Sequence, residues 1–333
     1  MKSIFLGDDR VFRIYYGETL ESLKKEADLE PVLYTKEDVL KNPAPFADTE
    51  NIFTTWGMPA FSREEIRTVF PSLKAVYYGA GSVQYFARPF LEENVRVHSA
   101  WGANAVPVAE YTTAQILLAN KGFFQSCRIC SEGLSERKRA ESYMSGACGN
   151  YGACVGIIGV GMIGKLVIRA LKPYHLTVLV YDKFLTDEKA KELGVQKVPL
   201  TELFERCDTI SNHVANLPET VGMLRYEHFS HMKKNATFIN TGRGAQVVEA
   251  DLIRALREEP CRTAVLDVTD PEPPTADSPL YGCPNVFLTP HIAGSLGDEV
   301  RRMGAYMLDE YRRGESGGAY LYEVTPKMLE TMA

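Results

Sequence analysis

The chain has 333 residues, a length that suits two domains, and its 45% apolar and 24% charged content is a globular balance able to bury a sizeable core. Its net charge of −6 disfavours nucleic acid as a partner, because phosphate binding needs a basic face. No apolar run reaches the roughly 18–20 residues that span a bilayer, and the apolar stretch of MKSIFLGDDR is too short for a signal peptide, so no membrane partner and a cytoplasmic location are expected.

In chain order, SIFL (3–6), PVLYT (31–35), NIFTTW (51–56), LKAVYYG (73–79) and VRVHSA (95–100) read as strands, with amphipathic stretches such as 62–70 as the helices between them. This alternation predicts a mostly parallel sheet covered by helices. Residues 106–127 read as one long helix starting near Pro107, since proline is tolerated in a first turn. The polar, Gly- and Ser-rich segment 131–152 reads as a loop or linker. From Ala153 the pattern restarts: CVGIIG, LTVLVYD, DTISNHV, ATFINTG, TAVLDV and NVFLTPH are strands, and Met162–Leu171 is a helix. A last helix over 296–313 returns to the first unit. The expected class is α/β with two doubly wound parallel-sheet domains. A dinucleotide-binding domain over 106–298 is inserted in a substrate domain made of 1–105 and 299–333, with hinges near Val106 and Gly297.

The seven cysteines are Cys127, Cys130, Cys148, Cys154, Cys207, Cys261 and Cys283, an odd number that fits reduced thiols. A zinc site from Cys127-x-x-Cys130 with Cys148 and Cys154 fits poorly, because five residues separate the second pair, and no metal is expected.

Gly159-x-Gly161-x-x-Gly164 follows a strand and opens a helix. The first glycine permits a tight turn, the second lets backbone approach a pyrophosphate, and the third lets helix pack on strand. The N–H groups of Gly161, Met162 and Ile163 then face the phosphates. Asp182 ends the next strand, where an acid accepts ribose hydroxyls and repels a 2′-phosphate, so NAD is the expected cofactor. The plainer reading is a glycine-rich turn beside a surface Asp.

Arg243, Glu272 and His291 each sit just past an apolar strand, on the edge where open parallel sheets bind ligands. A planar guanidinium matches a carboxylate and its neighbouring carbonyl bidentately. An imidazole can deliver a proton near neutral pH, and a nearby carboxylate fixes the ring tautomer. Arg243 alone also reads as a helix-start arginine in a surface ion pair. His213 reads as a cofactor-pocket wall or as a packed strand-end histidine. Trp56 and Trp101 read as substrate walls or as core. His98, His175, His228 and His231 read as ordinary histidines.

The glycine motif, the block HMKKNATFINTGRGAQVVEADLIRAL, the block LDVTDPEPPTADSPL and the closing NVFLTPHIAGS together resemble the D-isomer-specific 2-hydroxyacid dehydrogenase family. GAGSVQYF and SAWGANAVPVAEY extend the likeness over nearly the whole chain. The resemblance implies a Rossmann domain inserted in a flavodoxin-like domain, NAD as cofactor, a small 2-keto or 2-hydroxy acid as substrate, and a homodimer. It puts substrate carboxylate and carbonyl on Arg243, the acid/base role on His291, its partner on Glu272 and the nicotinamide amide on Asp267. Backbone amides of Ala80, Gly81 and Ser82 would take the substrate carboxylate. His213, Val214, Thr220, Thr241, Gly242 and Ala293 complete the cofactor set. Two departures stand out: Ser82 where the family often has Asp, and no Trp in 145–151. A dinucleotide-sensing, corepressor-like protein of the same fold is the alternative, disfavoured by the lack of a basic tail. A formate-type enzyme is disfavoured because a glutamate, not a glutamine, partners the histidine. The end at Ala333 is read as leaving no room for the regulatory domain of long phosphoglycerate dehydrogenases. The loops around Trp56, Ala80–Ser82 and Trp101 bring no second cation, so a monoanionic keto acid is expected, with Arg10 and Arg13 as the cations able to reach the same edge.

Overall fold

The computed structural model describes residues 2–332; the expected domain ends at residues 1 and 333 lie outside it. Its strands are β1 Ser3–Leu6, β2 Leu29–Tyr34, β3 Asn51–Thr54, β4 Ala75–Tyr78, β5 Arg96–Ser99, β6 Cys154–Ile158, β7 Thr177–Tyr181, β8 Gln196–Lys197, β9 Thr209–Asn212, β10 Thr237–Asn240, β11 Thr263–Leu266, β12 Val286–Leu288 and β13 Glu323–Val324. Backbone proximity divides the chain into two compact units. One holds the residues up to Ala105 and those from Ser295 on, and the other is Val106–Gly294.

The first unit's sheet runs β13-β5-β4-β3-β1-β2, parallel except for β13, which lies antiparallel on β5. The order 2-1-3-4-5 of its parallel strands is doubly wound, with a reversal between β1 and β3. Strands covered on both faces read as continuous apolar runs, which is why SIFL, NIFT and AVYY were visible as strands. Phe5, Phe53 and Tyr77 pack on one face with Met303 and Met307, and Ile4, Ile52 and Val76 pack on the other with Phe70 and Phe90. Ser62 caps the helix Arg63–Val69 in a capping box with Glu65.

The second unit's sheet runs β12-β11-β10-β9-β6-β7-β8, all parallel. Counting β6 first, this is the order 3-2-1-4-5-6-7, with its reversal between β6 and β9. Val155, Ile157, Val180 and Ile239 fill one face of it, and Ile158, Leu179, Ile210 and Phe238 the other.

Three helical readings change. The helix expected over 106–127 runs Trp101–Asn120, with Pro107 inside it. It ends near Gly122, whose φ of +66° suits glycine, and a second helix, Phe123–Ser131, follows. The segment read as a loop over 131–152 contains the turn Leu134–Glu136 and the helix Arg137–Met144. That helix buries little; Arg137 pairs with Glu141 at 2.9 Å and Arg139 with Glu136 at 2.9 Å and with Glu132. The last helix is Val300–Glu315, entered through the turn Gly297–Glu299. Among the described residues, no helix is long and apolar enough to cross a membrane, and no group of three or more His, Cys, Asp or Glu is placed to hold a metal ion.

Candidate active site

The glycine turn lies at the strand-order reversal of the second sheet. Gly159 has φ +88°, and a Cβ there would stand 2.9 Å from the backbone of His213 and Val214 at the end of β9. A Cβ on Gly164 would stand 2.1 Å from the Gly159 carbonyl oxygen, so helix Met162–Leu171 rests directly on the turn. Gly161, the residue before that helix, faces open space. Gly161 and Met162 are exposed and Ile163 is half-buried. A turn crowded behind and open in front, ahead of a ten-residue helix, fits a pyrophosphate on backbone N–H groups.

Asp182 is engaged by its own neighbours. Its Oδ2 accepts the Val160 N–H at 2.7 Å, and its Oδ1 accepts Phe184 N–H at 2.7 Å and Leu185 N–H at 2.9 Å. It therefore braces the glycine turn and has about one of its four acceptor positions left. The Thr220 hydroxyl is absorbed locally, accepting the Leu217 N–H at 2.9 Å and lying 2.8 Å from the Ala215 carbonyl oxygen. Val214 accepts from Gln246 Nε2 at 2.6 Å through its carbonyl.

His213 is buried between hydroxyls, with Nε2 3.0 Å from Ser211 Oγ and Nδ1 3.3 Å from Thr241 Oγ1. Burial pushes its imidazole down to about 3. An unfolded histidine takes a proton near 6.5, so stability falls as pH drops below that value and keeps falling toward the folded value. At pH 5 the loss from this group is about 2 kcal/mol, at about 1.4 kcal/mol per pH unit. His213→Gln should lose about that much less stability between pH 7 and pH 5 in urea unfolding. An equal acid loss in both proteins would contradict the assignment.

Arg243, Glu272 and His291 all lie in the second unit. His291 Nδ1 is 2.6 Å from Glu272 Oε1, and the two side chains are 44% and 41% exposed. His291 has φ +55°, a left-handed conformation rare for a residue with a side chain. Asp267 holds that loop. Its Oδ1 accepts Thr289 Oγ1 at 2.6 Å and Ile292 N–H at 2.8 Å, its Oδ2 accepts Ala293 N–H at 2.9 Å, and its carbonyl accepts His291 N–H at 3.0 Å. Arg243 is half-buried and donates from Nη1 to the Gly242 carbonyl at 2.7 Å. Desolvation pulls its guanidinium down, and the Glu272 charge opposes that shift. The Arg243 loop hangs on a buried amide network that sequence reading missed. Asn212 Nδ2 donates to Asn240 Oδ1 at 3.0 Å and to Gln246 Oε1 at 2.5 Å, Asn240 Oδ1 accepts Gly242 N–H at 3.0 Å, and Asn240 Nδ2 donates to the Arg243 carbonyl at 3.1 Å. The available signal was an Asn closing two buried strands, TISN and TFIN.

The residues expected to touch substrate elsewhere lie in the first unit, past β3, β4 and β5. Ala80 N–H is already donated to the Tyr78 carbonyl at 2.8 Å, so of the three amides expected to meet a carboxylate it is taken. Ser99 Oγ sits 2.8 and 2.7 Å from the carbonyl oxygens of Ala80 and Gly81 and fixes that loop. Trp56 and Trp101 are half-buried against the core, Trp101 edge-on to Tyr322 at 5.5 Å.

Two doubly wound sheets, one carrying a dinucleotide-type glycine turn, define an α/β protein built like a nucleotide-dependent dehydrogenase. A family model described as D-isomer specific 2-hydroxyacid dehydrogenase, NAD binding domain, matches residues 114–293. Glyoxylate reductase of Korarchaeum cryptofilum is 33% identical over 256 residues, covering 75% of this chain and 76% of that relative. D-3-phosphoglycerate dehydrogenase of Archaeoglobus fulgidus is 33% identical over 219 residues, 66% of this chain, and the match spans only 41% of that longer relative. The apo structure of Rhodotorula graminis D-mandelate dehydrogenase shares the fold, with a TM-score of 0.84 at 22% identity over 97% of each chain. The chain belongs to the D-isomer specific 2-hydroxyacid dehydrogenase family.

Proposed function

We propose that the protein transfers hydride between NAD(H) and a small 2-keto or D-2-hydroxy acid. The observation that carries this reading is the His291–Glu272 contact of 2.6 Å in the same unit as the open glycine turn and the half-buried Arg243. Bound NADH supplies the hydride. With Nδ1 on Glu272, the other ring nitrogen of His291, Nε2, delivers the proton to the substrate oxygen as carbonyl becomes hydroxyl, and Glu272 stabilises the positive ring. Arg243 keeps one N–H on Gly242, and its remaining fork takes the carboxylate and carbonyl. Asp267 orients the His291 loop through three accepted hydrogen bonds and keeps about one acceptor position for the nicotinamide amide. His213, Val214, Thr241, Gly242 and Ala293 wall the cofactor site, and Gly81 and Ser82 N–H groups bind the substrate carboxylate. In this assignment the second unit is the dinucleotide domain and the first the substrate-binding domain.

NAD is preferred to NADP because a 2′-phosphate would stand against the Asp182 carboxylate, and Lys183 softens that preference. The expected kcat/KM ratio of NADH to NADPH is at least about tenfold; equal values would contradict it. Absorbance assays of NADH oxidation across a panel of 2-keto acids test the activity itself. NADH binding with no turnover on any of them would favour a corepressor-like protein instead. The seven cysteines form no disulfide, which suits a cytoplasmic location, and we expect a homodimer, checked by light scattering.

A further inference from the structure

The loops after β1, β3 and β4 meet along the carboxyl edge of the first unit's sheet. There Arg10 Nε donates to both carboxylate oxygens of Asp8, at 2.9 and 3.0 Å, and Nη2 donates to Oδ2 at 2.5 Å. The Arg10 backbone N–H adds a fourth bond to Asp8 Oδ1 at 3.1 Å. The Arg10 side chain holds the Asp8 carboxyl below its ordinary value, and the carboxylate raises the guanidinium in turn. The loop after β3 closes against this pair. Gly57 has φ +87°, and a Cβ on it would stand 2.1 Å from Asp8 Oδ2 and 2.8 Å from Arg10 Nη2. Beside them lie the buried Tyr78 and Tyr85, which is 52% exposed, and the charge of Arg10 bears on both phenols.

Arg10 is the one Lys or Arg among residues 7–10, 55–61 and 79–85; Lys36, just after β2, also reaches this edge, but it is held on the Ala60 carbonyl at 2.7 Å and on Glu65 at 2.8 Å. A second anionic group on a substrate needs such a cation to offset its desolvation. Here the cation is already neutralised, and the carboxylate that neutralises it repels a further anion.

We propose that Asp8 is a positioning residue for substrate selectivity. By holding Arg10 in a closed pair beneath Gly57, it withholds that cation from phosphorylated and dicarboxylic substrates. The edge then receives the uncharged end of a monoanionic 2-keto acid. This rests on the 2-keto acid reading above. The pair's side chains are 45% and 41% exposed, so solvent screens it and its effect is modest.

The test is the ratio of kcat/KM for phosphohydroxypyruvate to that for hydroxypyruvate, with NADH, in wild type, Asp8→Ala and Asp8→Ala/Arg10→Ala. The wild type favours hydroxypyruvate; Asp8→Ala raises the ratio about fivefold, and the double variant loses that gain. A wild type that favours the phosphorylated acid, or an Asp8→Ala ratio within about twofold of wild type, overturns the proposal. If the wild type reduces no keto acid, the proposed activity fails, and calorimetry on the NAD⁺-saturated protein decides this point alone. A phosphohydroxypyruvate Kd about fivefold tighter in Asp8→Ala than in wild type supports it. An unchanged Kd, or binding of neither acid, overturns it.

Discussion

Arg243→Ala is expected to lower kcat/KM for the best keto acid by about 10²–10³-fold, the effect of removing one preorganised donor group from a reacting oxygen. The guanidinium is half-buried, the charge of Glu272 bears on it, and desolvation outweighs what that carboxylate offsets. A cation so placed awaits an anion, and a fork-shaped donor meets a carboxylate and adjacent carbonyl together. NADH affinity should stay within about twofold, because the loop that carries Arg243 is held by the Asn212–Asn240–Gln246 network, to which the guanidinium adds one bond, to the Gly242 carbonyl. NADH fluorescence titration and steady-state kinetics check both halves. Near-normal turnover would remove Arg243 from the site.

His291→Gln is expected to lower kcat by about 10²–10⁴-fold, the usual share of a positioned acid, with NADH binding retained. Glu272→Gln keeps a hydrogen-bonding side chain of the same length and removes its charge. The expected loss is about tenfold, the low end for a bond to a charged group, since the pair is 44% and 41% exposed. The two changes should not multiply: His291→Gln/Glu272→Gln should be little worse than His291→Gln, because the carboxylate acts only through the ring. Fully multiplicative losses would mean that Glu272 contacts the substrate directly.

Much of the architecture was legible because parallel strands buried on both faces are written as unbroken apolar runs. SIFL, NIFT, AVYY and CVGII needed no partner to be recognised. The glycine turn was legible because each glycine answers a steric demand of backbone on backbone, at Gly159 and Gly164 most tightly. Arg243, Glu272 and His291 were legible as polar residues just past such runs. What stayed hidden depends on distant partners. The Asn212–Asn240–Gln246 network joins residues from different strands and a loop, and no local pattern announces it. The helix Arg137–Met144 buries only Ala140 and half-buries Tyr143 among charged residues, so its composition resembled a linker. The break at Gly122 was masked by Phe123 and Phe124, which continue the apolar spacing past it. Asp8 and Arg10 were visible as charges, and their mutual bond was not.

Hydride transfer to C2 of a 2-keto acid is tested most directly by isotope transfer. The protein should be given NADH deuterated on both faces of C4, with whichever keto acid the panel favours, and the product analysed by mass spectrometry and chiral chromatography. One deuterium is expected at C2 of the D-2-hydroxy acid, in step with NADH consumed. Deuterium absent from the product, or an L-2-hydroxy acid carrying it, would contradict it.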